Sequence, residues 1–138
     1  MMRLIICLVF IGFAEYIQAQ SCTCKSMQDY VTLRDFDSTA KHKPMSLWKF
    51  AKTLEKDKNP RCLAFSFQLK AQVQIKNSQF EDAGKSLDRE KFILDSIRCK
   101  SASYVENNLT RGELLMLQGD YEGSIESYSK TVRILQRA

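Results

Sequence analysis

Between Gly112 and Val132 two stretches of helical periodicity meet at a single corner, Gly119-Asp120. Tyr121 follows the corner directly, and Tyr128 comes seven residues later. So short a break between two helical patterns leaves room for little except an antiparallel helical hairpin. The pattern also occurs upstream, around Phe80, 41 residues before Tyr121. Ala71 and Gly112 stand nine residues before their aromatic, Ala83 and Ser124 three after it, and Leu87 and Tyr128 seven after it. Self-similarity at a fixed spacing is the signature of a helical array. The small residues let two helices approach closely, and the corner aromatic is expected to pack back over the first of them. Leu87 and Tyr128 are expected to reach toward the neighbouring hairpin. One hairpin cannot bury all this apolar surface alone, so stacking has to complete the burial.

The remaining periodicity agrees. Ala64, Phe67, Ala71 and Ile75 form a stripe over 61–75, and Phe80, Ala83, Leu87, Lys91, Leu94 and Ile97 form another over 80–98. Further helices are expected over 102–117 and 121–136. An earlier one over 46–57 would carry Leu47, Phe50, Ala51 and Leu54, with Ser46 as its cap and Asn59-Pro60 as its stop. A short helix is expected over 26–36. Strict alternation is sustained nowhere and turn-formers are scarce, with 5 Gly and 2 Pro, so the expected class is all-α without a sheet.

The first residues read as a leader. Met1, Met2 and Arg3 precede an apolar run from Leu4 to Ala14, and a polar stretch then leads to Ala19. The run is too short to span a bilayer, which takes about 20 apolar residues. A signal peptide over 1–19, cut after Ala19, is expected, and with it export to a periplasmic, secreted or envelope location. Residues 20–45 then precede the array. Of five cysteines, Cys7 falls in the leader, leaving Cys22, Cys24, Cys62 and Cys99 where disulfides are permitted. Cys22 and Cys24 are too close to pair comfortably, so a bridge to Cys62 or Cys99 is expected, with the pattern left open. Ser21 is small, as a bacterial lipoprotein signal requires before Cys22, although Ala19 stands where a larger aliphatic is usual. A lipid anchor on Cys22 is therefore the alternative to a simply exported chain.

Gly112, Gly119, Asp120, Tyr121, Ile125, Tyr128 and Lys130 resemble the tetratricopeptide repeat, and the likeness covers roughly residues 61–138. Two units, about 61–98 and 102–137, fit it, and 46–57 has the flavour of a degenerate helix before them. Ser78 and Gln79 replace Gly-Asp in the earlier unit, and its spacing exceeds the family's period of about 34 residues. The resemblance implies a short right-handed α-solenoid whose groove, lined by the first helices, holds a peptide or a partner helix. Lys70, Gln74 and Asn77 on one first helix, and Asn108, Arg111 and Leu115 on the next, are the candidate groove residues. Ala71, Phe80, Ala83, Leu87, Gly112, Gly119, Tyr121, Ser124 and Tyr128 are the packing residues. With no capping helix beyond it, the side of the last helix carrying Ile125, Tyr128, Val132 and Leu135 predicts self-association or a bound partner.

Other classes are disfavoured. An enzyme needs converging acid, base or nucleophile, and the one histidine, His42, lies in a Lys-rich loop without a nucleophile at a recognisable spacing. Phosphate loops, metal motifs and nucleophile elbows are absent, so no cofactor or metal is expected. The net charge of +5 is mild, and its densest stretch, Lys41 to Arg61, is interrupted by Glu55 and Asp57. That is not the focused stripe of a nucleic-acid site. The expected function is a non-catalytic interaction scaffold for a protein or peptide. The alternative is the sensory, N-terminal part of a longer bacterial signalling protein.

Overall fold

The computed structural model describes Cys24 and residues 44–98 and 102–137. Five helices are found there: α1 (Pro44–Leu54), α2 (Pro60–Lys76), α3 (Phe80–Ser96), α4 (Ala102–Leu117) and α5 (Tyr121–Arg137). Among the described residues there is no strand, and no helix is long and apolar enough to cross a membrane. The leader, the helix expected over 26–36, His42, Cys22 and Cys99 lie outside the described residues.

Both proline-bounded helices depart from expectation. α1 begins at Pro44, so Ser46 falls within its first turn rather than at its cap, and it ends at Leu54 rather than 57. Pro60 opens α2 instead of closing α1. A first-turn proline forfeits only an amide that has no helical partner, and its fixed φ already suits the helix. Asn59 completes the start. Its side chain accepts from the Arg61 amide at 2.9 Å, while its own amide donates to Asp57 Oδ1 at 2.8 Å. α3 stops at Ser96, short of the expected 98, and Arg98 takes a left-handed φ of 55°.

The two corners agree bond for bond. At the first, the amides of Asn77, Ser78 and Gln79 donate to the carbonyls of Val73, Ile75 and Gln74. At the second, Gln118, Gly119 and Asp120 donate to Leu114, Met116 and Leu115, each donor and acceptor displaced by the same 41 residues. Ser78 (φ 59°) and Gly119 (φ 82°) occupy the same left-handed position. An added Cβ at Gly119 meets nothing within 4 Å, so this glycine serves the turn and not the packing.

Each hairpin closes through its small residues. Ala71 and Ala83 are fully buried in the first. In the second, the Ser124 hydroxyl donates to the Gly112 carbonyl at 2.8 Å, and a Cβ on Gly112 would lie 2.6 Å from the Tyr128 ring. Tyr128 therefore lies on its own hairpin, not toward a neighbour. The corner aromatics also differ: Phe80 packs against Ala71, Ile75, Ala83, Leu87 and Leu114, whereas Tyr121 is 68 % exposed.

α2 packs along α3 and α4 along α5, α1 lies on α2, and α4 rests on hairpin α2–α3. The α1–α2 core joins Leu47, Ala51, Leu54, Phe65, Leu69 and Val73 to a disulfide between Cys24 and Cys62. That bond is one of the pairings left open by sequence.

The seam beneath α4 is polar. Gln68 Nε2 donates to Thr110 Oγ1 at 2.6 Å, and Asn107 Nδ2 donates to the Leu87 carbonyl and to Glu90 Oε2 at 2.9 and 2.7 Å. Glu90 is fully buried, and burial pushes its carboxyl up to about 8, the Asn107 bond and Arg61 opposing the rise. Burial also lowers Arg61 and raises Glu106, the other acid beside it.

Candidate functional site

Between the hairpins, α3, α4 and α5 enclose a groove of about 630 Å³. Its walls follow from helical spacing. On α5, Lys130, Arg133 and Arg137 succeed one another at steps of three and four, which places them on one face. α4 contributes Tyr104, Asn108 and Arg111 by the same rule, and α3 contributes Asp88 and Lys91. Ser127 and Ile134 complete the floor, where the Ser127 hydroxyl donates to the Asn108 carbonyl at 3.1 Å.

Cations dominate the lining. Lys91, Arg111, Lys130, Arg133 and Arg137 face one carboxylate, Asp88. Three of the cations meet acids at the rim: Arg111 with Asp88 at 2.6 Å, Lys91 with Asp95 at 3.1 Å and Lys130 with Glu126 at 2.9 Å. The bond from Lys130 holds the Glu126 carboxyl below the usual range. Asp88, Asp95 and Glu126 are all well exposed, and such pairs contribute little to stability. A ligand carboxylate could replace them at small cost. The Tyr104 hydroxyl is buried and meets no hydrogen-bond partner among the described residues, which leaves one donor to spare at the inner wall.

The residues expected to form one groove on the first helices are not brought together. Asn108 and Arg111 line the cationic groove. Gln74 and Asn77 line a second cleft of about 480 Å³, where Met45 and Trp48 of α1 face the first corner. Gln74 is also held internally, its amide nitrogen facing the Lys70 and Asp82 carbonyls at 3.2 Å and the Ser86 hydroxyl at 2.7 Å. Lys70 is buried between α1 and α2, paired with Glu55 and set over the Trp48 and Phe67 rings at 5.6 and 5.1 Å. A long amphipathic side chain on α2 is covered once α1 packs there. Leu115 is half-buried and lines neither space.

Sequence reading did not place Lys91, Lys130, Arg133 or Arg137 in a groove: Lys91 was set on a packing stripe and Lys130 among the repeat-matching residues, but both line the groove. Of the cations dense in sequence, those described, Lys49 to Arg61, do not line this groove. The i, i+3, i+7 step from Lys130 to Arg137 was the available signal, on the side of α5 away from Tyr121 and Ile125.

Among the described residues no group of three or more His, Cys, Asp or Glu side chains could hold a metal ion. No family model matches the chain, and neither a curated protein nor a solved structure is similar enough to count as a relative. The tetratricopeptide likeness therefore rests on the sequence residues alone.

Proposed function

We propose that this chain is a non-catalytic interaction scaffold of tetratricopeptide type, exported from the cell, whose inter-hairpin groove takes an acidic segment of a partner protein. The observation that carries the reading is the lining: five cations and one carboxylate around about 630 Å³, on three helices that support one another. Guanidinium and ammonium groups recognise carboxylates by charge-assisted hydrogen bonds, the stronger class. Asn108, Ser127 and the Tyr104 hydroxyl add polar contacts suited to a peptide backbone. A right-handed superhelical stacking of the hairpins belongs to the same proposal, supported by the matched corners.

The test is fluorescence anisotropy with a Glu-rich peptide and its Gln-substituted counterpart. Binding to the acidic peptide should weaken as salt rises. Replacing Arg111 and Lys130 together by Ala should lower affinity by at least about tenfold, the scale of one lost charge-assisted contact. Both side chains reach the surface, so helicity by circular dichroism should not change. Equal affinity for the two peptides, or indifference to the double substitution, would rule out the groove as an acidic-segment site.

A further inference from the structure

Of nine large hydrophobic side chains exposed among the described residues, only Met45 and Phe92 lie outside hairpin α4–α5. The internal repeat shows what this concentration means. Gln68, Ile75 and Leu94 of the first hairpin are 1 %, 5 % and 0 % exposed, because α4 rests on that side. The residues 41 positions later, Leu109, Met116 and Leu135, are 43 %, 45 % and 60 % exposed. The outer side of the second hairpin is therefore a helix-receiving surface with nothing on it among the described residues.

The same comparison specifies the occupant. α4 meets the first hairpin with Asn107 and Thr110, which find Glu90 and Gln68. At the matched positions stand Thr131, buried within its own hairpin, and Leu109. Gly84 and Lys91 are likewise succeeded by Ile125 and Val132, both exposed. The polar partners have gone and apolar bulk has been added, so the surface calls for an apolar helical stripe and not for a helix like α4.

We infer that the occupant is α5 of a second copy of this chain, packed antiparallel about a two-fold axis near Tyr128. Tyr121, Ile125, Val132 and Leu135 lie at −7, −3, +4 and +7 from that residue. Reversing the helix direction consequently sets apolar on apolar over about 20 Å, at 1.5 Å per residue. Antiparallel helix dipoles attract. Lys130, Arg133 and Arg137 line the groove on the other side of α5, so the stripe itself carries no cation to repel a copy. One patch meeting itself closes the assembly at two chains. The groove stays open in this arrangement, and the acidic-segment reading stands or falls separately.

Sedimentation velocity on the whole chain at micromolar concentration tests the inference. A dimer is expected. Replacing Ile125 and Val132 together by Glu should weaken dimerisation at least about tenfold, with helicity unchanged because both side chains are exposed. Phe92→Glu, exposed on the other hairpin, should leave the dimer intact. A monomer at every concentration overturns the inference. So does a dimer that survives Ile125→Glu with Val132→Glu, or footprinting that finds the stripe covered by residues 25–43 of its own chain.

Discussion

Hairpins α2–α3 and α4–α5 turn through the same corner with the same three backbone bonds, yet among the described residues the first is enclosed on both sides while the second is flanked on one. Seven residues of α3's length carry the lesson: Leu87 and Leu94 are sealed, whereas Tyr128 and Leu135 at the matched positions are half-buried and exposed. A helical repeat fixes its turn locally, but its burial is fixed by its neighbours. The same side chain at the same repeat position therefore has a different energetic weight in each hairpin.

The largest effect should come from substituting that matched pair. Leu94→Ala removes a fully buried side chain beside Ala64 and Ile93, which costs about 2–5 kcal/mol. Leu135→Ala should cost less than about 0.5 kcal/mol in the isolated chain, as an exposed substitution does. Urea unfolding of both variants measures the contrast. Losses of similar size would mean that the outer side of α5 is covered in the same way as that of α3.

The disulfide sharpens the comparison next, because only the first hairpin has one. Its cysteines are 38 residues apart, and removing such a cross-link costs about 3–4 kcal/mol in the loop-entropy account. Cys24→Ser with Cys62→Ser should lower stability by that amount. In the native chain, amides of α2 should exchange more slowly than those of α5. Peptide mapping without reduction should recover Cys24 joined to Cys62. Recovery of Cys62 joined to Cys22 or Cys99 instead would remove the basis for the asymmetry.

A smaller effect separates the hairpins by pH. Glu90 is buried in the first, and Thr131 holds its place in the second. Burial raises the folded-state carboxyl to about 8, against an ordinary value of 4.5. Between these values the folded chain keeps a proton that the unfolded chain has lost. Stability should therefore be greatest below about 4.5 as far as Glu90 is concerned, and fall as pH rises toward about 8. Glu90→Gln should flatten this slope and make the chain more stable than the parent at pH 8. An unchanged slope in the variant would mean that Glu90 is not its source.

How far the sequence reached follows from what sets each feature. The all-helical class, the four helices from α2 onward and both corners were legible, because periodicity and turn chemistry are local. Proline misled at Pro60, since a residue that ends one helix can equally begin the next. The groove was only half legible. Arg111 and Asn108 were found through the repeat pattern, but Lys91, Lys130, Arg133 and Arg137 sit on second helices, which the concave-groove expectation passes over. Lys70 was misjudged for another reason: nothing within α2 shows that α1 covers it and that Glu55 meets it there. Tyr121 matched its repeat position and is still exposed, because a position in a pattern does not supply a neighbour.

The smallest effect tests whether the corners are alike in energy as well as shape. Ser78 holds a left-handed φ that costs a residue with a Cβ about 1–2 kcal/mol. Glycine removes that strain but gives back about 0.5–1 kcal/mol in unfolded-chain entropy. Ser78→Gly should therefore stabilise by only roughly 0.5 kcal/mol, the difference between those two terms. Gln79 makes no side-chain cap bond, whereas Asp120 accepts from the Gly123 amide at 2.9 Å. Gln79→Asp should add about 0.5–1 kcal/mol by supplying the missing acceptor. The reverse changes, Gly119→Ser and Asp120→Gln, should lose similar amounts from the second corner, where the side of the hairpin beyond it is open among the described residues. Urea midpoints at equal m-value read all four. If Ser78→Gly destabilises, the seal of α4 over the first corner, rather than the turn's own backbone bonds, is what holds residue 78 in place.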